Sequence, residues 1–97
     1  MITTIHAIVM KPVDNVATVV SKVELPARFA AEINGVSYAV DLAENIPFAH
    51  KFAITSITKG EPVLKYGEVI GLATQDIAPG QHVHVHNLES CRGRGDK

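Results

Sequence analysis

The chain has 97 residues and a formal net charge of −1, with 46% hydrophobic but only 5% aromatic residues and no tryptophan. That length suits one small domain with an aliphatic core, and so balanced a charge gives no electrostatic grip on nucleic acid or an anionic membrane. No apolar run approaches the roughly 20 residues of a membrane span, residues 1–6 lack the basic stretch of a signal peptide, and the lone Cys91 suits a reducing cytoplasm.

Residues 2–10 are rich in β-branched side chains and predict a strand ended by Lys11-Pro12; His6 within it reads as an ordinary strand residue. Asp14 is a good N-cap ahead of Val16, Val19 and Val20 at helical spacing. Residues 14–22 therefore predict a short helix, although three valines weaken it. The other role open to Asp14 is a polar residue at the mouth of a site. Residues 27–33 and 36–42 flank Asn34-Gly35, the turn pair of a two-residue hairpin. Val36, Tyr38, Val40 and Leu42 alternate with Ser37, Ala39 and Asp41, which buries one face of that arm.

Pro47 biases Ile46 towards an extended conformation, and residues 49–54 predict a strand in which His50 and Lys51 point to opposite faces. Two units follow that both read I-x-x-G-x-x-V: Ile57-Thr58-Lys59-Gly60-Glu61-Pro62-Val63 and Ile77-Ala78-Pro79-Gly80-Gln81-His82-Val83. Both glycines are free to adopt positive φ. Between the units, residues 69–74 predict a strand in which Gly71 marks a bulge or a close backbone approach. Residues 82–87 predict the last strand. Residues 89–97 are polar and glycine-rich, a mobile tail. Its Arg94-Gly95-Asp96 is read as a chance tripeptide, and Arg92 and Arg94 suit docking on a carboxylate or a partner chain. Short strands with Gly/Pro turns predict a mainly β, barrel-like or clip-like fold with one or two short helices, spanning residues 1–88.

In an extended strand His82, His84 and His86 share one face and Val83 and Val85 the other. The valines are expected in the core and the imidazoles in an accessible row. Imidazole is a common ligand for zinc, iron, copper and nickel. The first and third of the row stand about 13 Å apart by strand rise, too far for one ion unless the strand bends. A metal site then needs another ligand, from His50, Asp14 or another chain. A pocket histidine also suits general acid or base work, Lys51 and Lys65 suit a substrate carboxylate, and a plain polar interface is the ordinary alternative.

Four stretches carry a family resemblance: Asp14-Asn15-Val16-Ala17, Ile46-Pro47-Phe48-Ala49-His50-Lys51, Lys65-Tyr66-Gly67-Glu68-Val69-Ile70-Gly71-Leu72-Ala73, and Gly80-Gln81-His82-Val83-His84-Val85-His86-Asn87. In this order and at these gaps the chain resembles the small N-terminal module of altronate and galactarate dehydratases, also found as the small subunit of sulfolactate sulfo-lyase. The terminal Arg-Gly-Arg-Gly-Asp is similar to the end of stand-alone small subunits. The resemblance implies an SAF domain with a β-clip fold. It also implies a lyase that removes water, or sulfite, next to a carboxylate. A divalent metal, iron or manganese, is implied in the assembled enzyme, and this chain alone need not bind it. The partners implied are a large catalytic subunit and a hexonate or hexarate-type sugar acid, with a homo-oligomer left open.

Carried over by position, the resemblance makes His50, His84 and His86 the candidate catalytic residues. It makes Asp14, Asn15, Lys51, Lys65 and Asn87 candidate substrate-binding residues, and His82, His84 and His86 candidate metal ligands. Tyr66 matches as well. One departure is Ala49, where the family pattern has glycine before His-Lys; a positive φ there would strain alanine by roughly 1 kcal/mol. Beside this enzyme reading stands a non-catalytic module that binds a sugar acid or a partner, and an independent metalloprotein built on the histidine strand.

Overall fold

The computed structural model describes residues 2–90 apart from Met10, Pro12, Lys22 and Asn34. Among the described residues there are ten strands: β1 (Thr3–Ile5), β2 (Ala7–Ile8), β3 (Val16–Val19), β4 (Ala27–Ile33), β5 (Val36–Asp41), β6 (Lys51–Ala53), β7 (Pro62–Lys65), β8 (Glu68–Ala73), β9 (His82–Val83) and β10 (Leu88–Ser90). They form three small sheets ordered β1-β4-β5, β10-β8-β7 and β2-β3-β6-β9. Among the described residues there is no helix, and so none long and apolar enough to cross a membrane.

The short helix expected over residues 14–22 is therefore a strand, β3, with Lys22 outside the described residues. All four residues of β3 are buried, and the reason is its place. β3 lies between β2 and β6, with Ala7↔Val19 on one side and Val16↔Ala53 on the other. Ala17, Val19, Phe52 and Ile54 enter one apolar cluster, while Val16, Ala53 and Val83 enter a second. A strand with core on both faces shows no polar alternation. Its valines mimic helical spacing, and β-branched side chains settle the choice once partners flank them.

The strand expected over residues 2–10 is broken at exposed His6 into β1 and β2; its end, Met10, lies outside the described residues. β1 pairs in parallel with β4 instead of continuing beside β3. The hairpin is as expected: β4 and β5 pair antiparallel down to Ile33↔Val36, and Gly35 has φ +85°. Val40 and Leu42 are buried and Ser37, Ala39 and Asp41 exposed, although Val36 at the tip is 52% exposed. On its outer surface Arg28 Nε donates to Asp41 Oδ1 at 2.6 Å. Glu89 and Ser90, expected in the tail, extend the ladder as β10, opposite Leu72 and Gly71. Residues 91–97, including Cys91, Arg92 and Arg94, lie outside the described residues.

The two glycine units meet. Ile57 and Ile77 form an antiparallel bridge, exchanging N–H···O bonds of 2.9 and 2.8 Å. Each glycine N–H then reaches back into the sheets: Gly60 to the Ala73 carbonyl and Gly80 to the Ala53 carbonyl, both at 2.8 Å. Glu61 Oε1 accepts from Thr58 N and Gln81 Oε1 from Ala78 N, both at 2.7 Å. The units are thus equivalent down to a side-chain oxygen on a backbone amide, and the bridge fixes where β9 leaves the second unit. Gly71 is a close approach: an added Cβ would strike the Glu89 carbonyl oxygen. The register also shifts between Val63/Leu64 opposite it, so the expected bulge and the close approach coincide.

Candidate functional site

His50 enters β6 from a tight turn. Its N–H donates to the Pro47 carbonyl at 2.9 Å, and Ala49 inside the turn has φ +71°. The position before His-Lys is thus left-handed and occupied by alanine. Ala49→Gly is expected to raise stability by about 1 kcal/mol, several degrees in Tm for a domain of this size, in a thermal melt. No gain would mean that the turn absorbs the strain elsewhere.

β6 pairs with β9 as Lys51↔Val83 and Phe52↔His82, and there the ladder stops. The strand expected over residues 82–87 ends after two residues because Asn87 turns the chain. Its Oδ1 accepts from His84 N at 3.0 Å and its Nδ2 donates to the His82 carbonyl at 2.9 Å. Asn87 N also donates to the His84 carbonyl at 3.0 Å. Asn87, expected to bind substrate, is 3% exposed and spends its amide on this turn. The alternation of the valines ends with it: Val83 is fully buried, but Val85 is 81% exposed instead of in the core.

The turn breaks the expected row of three imidazoles and builds another group. His50, His82 and His84, all half-buried, each place a ring nitrogen so that the three lie within 4.8 Å of one another. His50 Nδ1 and His82 Nε2 are hydrogen-bonded at 2.9 Å. His50 stacks on His84 with centroids 4.3 Å apart and on His82 at 5.1 Å. His86 is exposed, its ring tilted 45° to His82 at 5.4 Å, and it is not part of the converging trio. Of the expected ligands His82, His84 and His86, the first two are brought together with His50, and His86 stands outside the group. Burial, followed by the neighbouring imidazoles, pulls His82 below the ordinary histidine pKa, against a small opposing pull from Glu44. His84 is lowered by burial and then by His50, Lys51 and His86.

His84 also lines an open cleft of about 510 Å³ with Lys51, Lys65, Tyr66, Glu68 and Leu88. Burial pulls the Lys51 ammonium below its usual pKa, and repulsion from Lys65 adds to this. Two lysines facing one cleft favour an anion, which would relieve that repulsion. Lys65 sits at the end of β7, with its Nζ 5.0 Å from the Tyr66 ring centroid. The turn to β8 is a two-residue hairpin, Lys65↔Glu68, with positive φ at both Tyr66 (+56°) and Gly67 (+82°).

Asp14 and Asn15 sit beneath that hairpin. Asp14, 3% exposed, accepts from Lys11 N at 3.2 Å, Tyr66 N at 3.0 Å and Gly67 N at 2.8 Å. Asn15 Oδ1 accepts from Leu64 N at 2.8 Å, and its Nδ2 donates to the Pro62 carbonyl at 3.0 Å. Asp14 is thus neither a helix cap nor open at the mouth of a site; the pair positions Lys65 and Tyr66. What sequence reasoning missed is the turn-making role of Asn87 and the bracing by Glu44, whose Oε2 accepts from His82 N at 3.0 Å. An asparagine three residues after a histidine is an available signal for the first, since Asx side chains bond nearby amides.

The fold and site define an all-β module of the β-clip kind, carrying an imidazole cluster beside a lysine-lined cleft. Residues 5–91 match the altronate/galactarate dehydratase SAF domain, and the chain belongs to that family. It is 41% identical over 86 residues to altronate dehydratase of Escherichia coli (strain K12), covering 89% of this chain and 16% of that protein. It is 38% identical over 77 residues to altronate dehydratase of Bacillus subtilis (strain 168), covering 79% and 15%. It is also 42% identical over 52 residues to (2R)-sulfolactate sulfo-lyase subunit alpha of Chromohalobacter salexigens, covering 54% and 55%. The chain thus spans 16% or less of the length of these altronate dehydratases.

Proposed function

We propose that this chain is the small module of a carbon–oxygen lyase of the altronate dehydratase type. It acts on a sugar acid together with a larger polypeptide that carries most of the catalytic apparatus. The observation that carries this reading is the double position of His84, which belongs to the imidazole cluster and also lines the cleft of Lys51 and Lys65. Lys51 and Lys65 hold the substrate carboxylate. The carbon next to it then lies on the His84 side, within reach of side chains able to move a proton as the α C–H bond breaks and the β-hydroxyl leaves as water. A divalent ion such as iron or manganese, held on the imidazoles, would stabilise the negative charge that develops. The site is open on one side, and the larger polypeptide closes it against water.

The test is dehydration of altronate and galactarate by this chain combined with the larger polypeptide. His84→Ala is expected to lower kcat at least about 100-fold with the complex intact, and Lys65→Ala to raise KM more than it lowers kcat. Equal activity of the larger polypeptide with and without this chain would overturn the proposal. The second reading is the small subunit of a sulfo-acid lyase. It is favoured by the match to a separate subunit alpha, of which 52 aligned residues make up 55%. Sulfite release from sulfolactate, with no turnover of sugar acids, would select it.

A further inference from the structure

We infer that this chain, without any partner, binds one divalent first-row transition-metal ion through His50, His82 and His84, with His86 outside the coordination sphere. The inference concerns the imidazole cluster alone and holds whichever lyase the module serves.

Three nitrogen donors converge from two places in the chain, His50 just before β6, and His82 and His84 at the start of β9 and just after it. Nitrogens sharing an ion at about 2.0–2.1 Å each can stand no more than about 4.2 Å apart, so donors within 4.8 Å need close by well under 1 Å. His50 Nδ1 and His82 Nε2 already share a proton at 2.9 Å, and a metal ion takes the place of that proton.

The rings are pre-positioned by the backbone. The Ala49 turn sets His50, the Glu44 carboxylate holds His82 N, and the Asn87 side chain holds His84 N. Three protein ligands, one of which (His84) also lines the cleft, match the pattern of a site that keeps a position for substrate or water. An all-imidazole set prefers zinc, copper, nickel, cobalt and iron to magnesium or calcium.

The order of the residues makes the test sharp, because a flat strand would offer the row His82, His84 and His86 instead. Tag-free, chelator-treated chain is titrated with Co²⁺ by visible absorption and with Zn²⁺ by calorimetry, and its melting is followed with and without Zn²⁺. The expected result is one ion per chain, a raised Tm, and ligand-field bands with cobalt. His50→Ala, His82→Ala and His84→Ala should each weaken binding at least about 100-fold, beyond what loss of an outer-shell partner costs. His86→Ala should stay within about threefold of the unaltered chain. Any variant that does not melt cooperatively without metal is replaced by glutamine at the same position. Absence of saturable binding, or His86→Ala as damaging as the other three, overturns the inference. A chain that binds the ion yet supports no lyase activity with its partner overturns the proposed function and leaves this site standing.

Discussion

Gly80→Ala is expected to cost this module about 3 kcal/mol or more, while Gly60→Ala, the same substitution in the matching turn, costs about 1–2 kcal/mol. The two glycines have φ of +91° and +90°, and each donates its N–H to a strand carbonyl at 2.8 Å. The left-handed penalty on alanine is therefore common to both. Their surroundings differ. Nothing lies within 4 Å of a Cβ added at Gly60, whereas one at Gly80 runs into the Asp41 carbonyl oxygen and comes within 3.2 Å of Ala43 N. Ala43 N also donates to the Gly80 carbonyl at 2.9 Å, so the end of β5 is fastened to this turn. Relieving the clash means parting that contact. Urea unfolding of the two variants reads the difference directly. Equal losses would show that the backbone at Asp41 yields and that only the φ penalty counts.

Asp14→Ala should lower stability by about 3 kcal/mol, since amide bonds to a charged acceptor are worth about 1.5–3 kcal/mol each and the donors left behind are desolvated. The buried carboxylate holds the amides of Tyr66 and Gly67, both in left-handed conformations, together with Lys11 N. A tyrosine at +56° is strained by roughly 1–2 kcal/mol, and Asp14 is what holds it there. Asp14→Asn keeps one accepting oxygen and should recover about half of the loss. The change reaches the site through Lys65, the residue before Tyr66. Under the proposed function, Asp14→Asn should raise KM with kcat nearly unchanged, because Asp14 holds the turn that carries Lys65, the proposed anchor, and does not line the cleft itself. Wild-type stability in Asp14→Ala would remove this bracing role.

How much was legible in the sequence follows from which interactions are local. Asn34-Gly35 announced its hairpin because a two-residue turn depends on the φ preferences of two adjacent residues. The paired glycine units were visible as a repeated spacing, and Gly71 as a place where only hydrogen fits. The four stretches that carry the family resemblance contain the fold class, and they contain the side chains that the fold brings to the imidazole cluster and the cleft: His50, Lys51, Lys65, His82 and His84. All of this rests on residue identity and short-range spacing.

Tertiary structure decided the rest. Val16–Val19 reads equally well as a helix face or a doubly buried strand, and only its position between β2 and β6, with a core on each side, selects the strand. The histidine row depended on an extended strand through residue 87, but the Asn87 side chain ends the ladder at Val83 and exchanges His86 for His50 in the cluster. Asp14 looked like a cap because two of its three amide partners, Tyr66 and Gly67, lie more than 50 positions away. The sequence by itself determined which side chains this protein has for chemistry and which turns it makes. Which of those side chains meet was decided by pairing across long separations, where a few hydrogen bonds to backbone amides outweigh local propensity.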